Sequence, residues 1–372
     1  MRTIRKTIDS VPDLRPVSSS PEELMIFDIE TTGLSARNHS VFLIGCIIFH
    51  SDGKNGELVQ FFADSPEEEP LLLSGFCSLA ADRRTLVHYN GQKFDLPFLR
   101  EHALRCGMPD PFTAMRSVDI YRTAARFRNL LGLTDGKQQT AEAFLGTGRT
   151  ESTSGRDIAA MHSSWLKDRN PQFLEAILAH NEADLRGVMR LIPMLSYDAL
   201  PEEIPVVYRA EASSYTDYLG ESRDEVILRF RFRTPVPRPV FGSRDACFFK
   251  AEAGGDGTEG IVKIPLFSGE LKYFYADYHD YYYFPEQDQA LHKSVAVYAD
   301  RTHRFPARPD NCYTRKTGAF LPEWDLFRTP FYKKDYRSAA LFFELTPEVK
   351  TSRRILSEYA AYAIRHIIDG CR

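Results

Sequence analysis

Asp28 and Glu30 stand two residues apart in the stretch Leu-Met-Ile-Phe-Asp-Ile-Glu-Thr-Thr-Gly-Leu, residues 24–34. Leu24, Met25, Ile26, Phe27 and Ile29 make a short apolar run of the kind that forms a buried strand. Side chains on a strand alternate faces, so Asp28 and Glu30 point to the same side. Two neighbouring anions repel unless a cation sits between them, and Mg²⁺-like ions take carboxylate oxygens in this way. The alternative is a strand that merely runs out into a polar turn through Thr31, Thr32 and Gly33.

Two further carboxylates stand out by position. Asp95 follows the turn signal Asn90-Gly91 and precedes a helical pattern through Phe98, Leu99, Ala103 and Leu104. It is either a ligand or a helix cap. Asn170-Pro171 opens another helix as cap and first-turn residue. At about 100° per residue, Phe173, Leu174, Ile177, Val188, Leu191 and Ile192 share one arc. Glu175, Glu182, Arg186 and Arg190 lie opposite, but Asp184 falls within the apolar arc, with Asn181 on it and His180 at its edge. A buried carboxylate needs a partner. For Asp184 that is an Arg or Lys from elsewhere, or a metal.

The elements that carry these residues run in a definite order. Strands are expected at 24–31, 41–50, 57–63 and 85–89, and helices at 66–84, 97–106, 119–128, 137–145, 156–167 and 171–192. Asp119 reads as a structural cap. Three strands in a meander followed by alternating strand and helix give an α/β core with a mixed sheet flanked by helices. Residues 1–20 read as an N-terminal tail or arm.

Residues 27–34, residues 90–97 (Asn-Gly-Gln-Lys-Phe-Asp-Leu-Pro) and residues 180–184 (His-Asn-Glu-Ala-Asp) resemble the three motifs of the DEDD superfamily of 3′–5′ exonucleases, in particular its YprB-type RNase H-like branch. The resemblance covers roughly residues 21–198. It implies an RNase H-like fold, two Mg²⁺ or Mn²⁺ ions held by Asp28, Glu30, Asp95 and Asp184, and His180 as the general base. It also implies Thr31, Thr32, Gly33, Leu34, Asn90 and Phe94 as substrate contacts and a single-stranded nucleic-acid 3′ end, DNA or RNA, as partner. One feature departs from the family. In one branch a Tyr precedes the last Asp by four residues, and in the other a His precedes it by five. Here His180 has the residue type of the second and the spacing of the first.

The 372 residues are 43% apolar and 26% charged, with net charge −4. This is an ordinary globular composition, without a whole-chain basic field. None of the six cysteines has zinc-ligand or redox spacing. No apolar leader or long apolar span is evident, so the expected location is cytoplasmic, with no membrane partner. Two prolines and several acids at 196–205 suggest a linker at 199–206. Three of the 18 tyrosines precede residue 200, which leaves a Tyr-rich α+β domain at 207–372. Within it, strands are expected at 226–233, 246–252, 260–266 and 271–276, a turn at Ser268-Gly269, and helices at 285–298 and 350–368. The aromatic run 273–284 either stacks bases or builds a core.

The leading expectation is a metal-dependent 3′–5′ exonuclease. A structure-selective endonuclease with the same metals, and a non-catalytic nucleic-acid-binding protein with an RNase H-like core, are the alternatives.

Overall fold

The computed structural model describes residues 1–149, 153–254 and 256–371. The chain divides into two compact units, Met1–Ala199 with Val236–Arg238, and Leu200–Pro235 with Pro239–Cys371.

The first unit is built on strands β1 (Arg2–Ile8), β2 (Leu24–Thr31), β3 (Val41–Phe49), β4 (Gly56–Phe62), β5 (Thr85–His88) and β6 (Arg116–Asp119). Their order across the sheet is β1-β4-β3-β2-β5-β6. The first four pair antiparallel, whereas β5 is parallel to β2 and β6 to β5. Helices α1 (Glu69–Ala80), α2 (Asp95–Arg105), α3 (Ile120–Arg126), α4 (Gln138–Leu145), α5 (Gly155–Asp168) and α6 (Pro171–Leu191) flank it. One core joins Phe27, Ile29, Ile44 and Val59 to Phe76 of α1 and Phe98 and Leu99 of α2. A second joins Phe42, Leu43 and Phe62 to Ile158 and Trp165 of α5 and Ile177 of α6.

The expected tail is corrected in part: Arg2–Ile8 is an edge strand paired with β4. Arg2 and Arg5 reach Asp64 and Glu57, and Lys6 reaches Glu182 of α6. Cations along an exposed edge leave no apolar alternation to read, and they suit an edge because they discourage further pairing.

His162 of α5 lies wholly within the second core. Its ring stacks on Phe42 at 3.8 Å between centroids, and neither ring nitrogen has a hydrogen-bond partner among the described residues. Burial, with a smaller effect from Arg169, pushes its pKa down to about 4. The folded state therefore holds the ring neutral where the unfolded chain takes up a proton. The stability this gives is present above pH ~6.5 and is lost as pH falls toward about 4. His162→Phe is expected to melt higher than wild type at pH 4.5 relative to its difference at pH 7.5. A difference in melting temperature that stays constant across that range would refute the assignment.

The second unit holds β7 (Val206–Thr216), β8 (Ser222–Phe232), β9 (Val240–Arg244), β10 (Cys247–Ala251), β11 (Thr258–Phe274), β12 (Tyr281–Phe284), β13 (Gln289–His292), α7 (Lys293–Ala296), β14 (Phe305–Pro306), β15 (Tyr313–Glu323), β16 (Phe331–Tyr332), β17 (Leu341–Glu344), α8 (Pro347–Thr351) and α9 (Arg353–Gly370). Eight strands form one antiparallel sheet, and β13-β12-β14 a small one.

Two sequence expectations are corrected here. Ser268-Gly269 is not a turn, because β11 runs straight through it and changes partner instead. It pairs with β8 up to Leu266 and with β15 from Phe267. The helix expected at 285–298 shrinks to α7, because residues 289–292 pair with β12. Of the aromatic run, Tyr275, Tyr278, Tyr281 and Tyr283 pack around Ala290, Ala307 and Cys312, which is the core-building alternative.

No helix among the described residues is long and apolar enough to cross a membrane.

Candidate metal centre

The site forms where β2 loses one neighbour. β5 pairs with Leu24–Ile26 only, so the backbone beyond Ile26 is open on that side. A bulge between Glu30 and Thr31 then ends the regular pairing with β3. Asp28 and Glu30 lie on this free end, on one face.

The β5–α2 turn brings in Asp95. Asn90 takes the left-handed conformation at φ 62°, and the Gly91 N–H donates to His88 Nδ1 at 3.0 Å. A Cβ on Gly91 would stand 2.8 Å from His88 Nδ1 and 3.0 Å from Asp95 Oδ2, so glycine gives Asp95 its place. Because His88 Nδ1 accepts, its Nε2 carries the proton and donates to Ser117 Oγ at 2.8 Å. Asp119 stands behind this turn as the cap of α3. It accepts from the N–H groups of Asn90 at 2.7 Å and Tyr121 at 3.1 Å.

Helix α6 brings the last group. It crosses β2 and β3 above Gly45, where any Cβ would overlap Asn181 Oδ1 and Leu185. That close approach lets Asn181 Nδ2 donate to Asp28 Oδ2 at 2.9 Å, while Gln60 Nε2 of β4 donates to Asn181 Oδ1 at 2.9 Å. One turn apart on the helix, His180 Nε2 lies 3.1 Å from Asp184 Oδ2 and 3.7 Å from Glu30 Oε1. The imidazole thus sits between these two carboxylates.

Asp28, Glu30, Asp95, His180 and Asp184 thus line one cavity of about 660 Å³. Its remaining wall includes Thr31, Thr32, Gly33, Leu34, Asn90 and Phe94, and Leu34 is 87% exposed at the rim. Tyr89 and the α5 residues Gly155, Arg156 and Ala159 line it too, and nothing in their local pattern singles them out in the sequence.

The electrostatics are those of crowded anions. Burial raises the pKa of Asp28 well above the carboxylate range, and the charges of Asp184, Asp95 and Glu30 raise it further. Glu30 is raised by burial and by Asp184 and Asp95. Burial lifts Asp95 to about 7, against hydrogen bonds from its own N–H and that of Ile29. The partner that Asp184 requires is partly a protein cation. Arg149 hydrogen-bonds its carboxylate and lies 3.3 Å from Glu142 Oε2.

The donor set fits a hard divalent ion. Four carboxylates converge, and Glu30, His180 and Asp184 each offer a ligand atom within 4.8 Å of the others.

A family model of the RNase H superfamily matches residues 25–196. With the mixed sheet and its flanking helices, the match makes residues 25–196 an RNase H-like domain. The uncharacterized protein YprB of Bacillus subtilis (strain 168) is 28% identical over 187 residues, 48% of this chain and 43% of that protein. The chain thus spans less than half the length of that relative, and the likeness supports a YprB-type domain. Among solved structures, exonuclease I in its apo form is 14% identical over 63% of this chain and 57% of that one, with a TM-score of 0.29. A product-bound exonuclease I gives the same score and identity over 63% and 59%. A superposition that loose carries no argument.

Proposed function

We propose that this protein is a metal-dependent 3′–5′ exonuclease that hydrolyses phosphodiester bonds of DNA or RNA. The observation that carries the reading is the convergence of Asp28, Glu30, Asp95 and Asp184 from three separated segments into one cavity, with His180 between Glu30 and Asp184. Asp28, Glu30, Asp95 and Asp184 hold the ions, Mg²⁺ or Mn²⁺. Bound divalent ions lower the pKa of water and neutralise charge on a reacting phosphate.

The protein supplies the rest. Asn181 and Gln60 fix the Asp28 carboxylate, and the Gly91 turn fixes Asp95. His180 Nε2, facing Glu30 and Asp184, is the atom that takes up and releases a proton. Thr31, Thr32, Gly33 and Asn90 meet the sugar and phosphate of the terminal nucleotide, and Leu34 and Phe94 its apolar faces. A cavity of about 660 Å³ suits one small ligand of nucleotide size.

Two measurements test this reading. Millimolar Mn²⁺ or Mg²⁺ is expected to raise the melting temperature, because an ion that binds only the folded state stabilises it by mass action. End-labelled DNA and RNA oligonucleotides, single- and double-stranded, are expected to shorten stepwise from the 3′ end with either ion. Circular single-stranded DNA is expected to survive. Cutting of the circle would establish an endonuclease instead, and stabilisation without any cleavage would leave a binding protein.

A further inference from the structure

Arg149 touches two carboxylates of very different character. Glu142 is fully buried, and its Oε1 accepts from Gln138 Nε2 at 2.8 Å. Gln138 Nε2 also donates to the backbone carbonyl of Asp184 at 2.9 Å, so α4 is tied to α6 beside the site. The two helices come this close because residue 187 is glycine; a Cβ there would overlap Glu142 Oε1. Glu142 Oε2 has no hydrogen-bond partner among the described residues, and Arg149 Nε at 3.3 Å is its counter-charge. The far end of the same guanidinium pairs with Asp184, which belongs to the proposed ion-binding set.

One guanidinium therefore serves two anions with unequal claims. A buried carboxylate stripped of its counter-charge costs several kcal/mol, so Glu142 holds Arg149 firmly. Asp184 faces the cavity and has His180 beside it, so its claim is replaceable. We propose that Arg149 is an exchangeable counter-ion of the carboxylate cluster. It pairs with Asp184 until a divalent cation takes that carboxylate, and the freed end of the guanidinium, still anchored on Glu142, then contacts a phosphate of the substrate. A planar guanidinium already paired with a carboxylate of the cavity wall is well suited to a phosphodiester oxygen. The inference rests on the reading of the cavity as a metal centre.

The test is direct binding, without turnover. Calorimetric titration with Mn²⁺ is compared for wild type, Arg149→Ala and Asp28→Asn. Affinity for a nuclease-resistant phosphorothioate oligonucleotide is measured in saturating Mn²⁺. Because Arg149→Ala strands the Glu142 charge, the double variant Glu142→Gln/Arg149→Ala is measured beside it.

Removing the competing cation is expected to tighten Mn²⁺ binding roughly tenfold, within the usual range of coupling between two ligands. The same variants are expected to bind the oligonucleotide roughly tenfold more weakly, as loss of a phosphate contact does. A purely structural ion pair would lower stability and leave Mn²⁺ affinity unchanged, which overturns the proposal. Unchanged oligonucleotide affinity overturns it equally. Wild-type Mn²⁺ binding that is indifferent to Asp28→Asn would overturn the metal-centre reading itself, and the inference with it.

Discussion

Asp28→Asn is expected to lower cleavage by at least about 10³-fold, the upper end of the cost of losing one preorganised electrostatic contact. The fold is expected to survive. Asn181 donates to Asp28 Oδ2, and an amide oxygen in the same place still accepts that bond. Without ions the variant is expected to gain stability, because it removes one anion from a cluster whose members raise each other's pKa. The gain in melting temperature is about 2–4 °C for each kcal/mol of repulsion removed. It is expected to vanish in millimolar Mn²⁺, where wild type is stabilised and the variant is not. Asp184→Asn is expected to lose activity to the same degree. Near-normal cleavage by either variant would remove the metal centre from the account of this protein.

His180→Ala is expected to lower turnover by roughly 10²–10⁴-fold, the range for loss of a general acid or base. The ring is held by Asp184 at 3.1 Å and faces Glu30 at 3.7 Å, so it stands among the ion-binding carboxylates. A base and a ligand are therefore told apart by a second measurement. If His180 moves the proton, Mn²⁺ affinity in His180→Ala stays near wild type while turnover collapses; if it ligates, both fall together. His180→Tyr is expected to recover part of the lost turnover, because the four-residue spacing to Asp184 already suits a tyrosine hydroxyl. An alanine variant as active as wild type would make His180 a packing residue.

Asp28, Glu30 and Asp184 were legible because each broke a periodicity, and Asp95 because it stood between a turn signal and a helix start. Asp28 and Glu30 interrupt an apolar strand on one face, and Asp184 sits in the apolar arc of α6. Residues that follow no pattern were invisible. Glu142 has the appearance of an ordinary surface helix residue, and only the approach of α4 to Gly187 buries it. Arg149 lies after the end of α4, where no periodicity announces a partner. Gln60 sits among apolar strand neighbours, but its hydrogen bond to Asn181 crosses from the sheet to a helix far along the chain.

In the first unit, the central strands and α6 were readable from apolar runs and arcs. The edge strand β1 was not, since its outward cations hide the strand alternation. In the second unit Ser268-Gly269 misled, because a small pair can mark a change of strand partner as well as a reversal.

The hydrogen bond from Asn181 to Asp28 joins residues 153 positions apart. Contacts of such long sequence separation form late, after the loop between them has been closed. A chain emerging from the ribosome therefore carries Asp28 and Glu30 long before α6 exists to complete the cavity. Until residue 184 has been synthesised and docked on β2 and β3, the nascent polypeptide has no assembled centre.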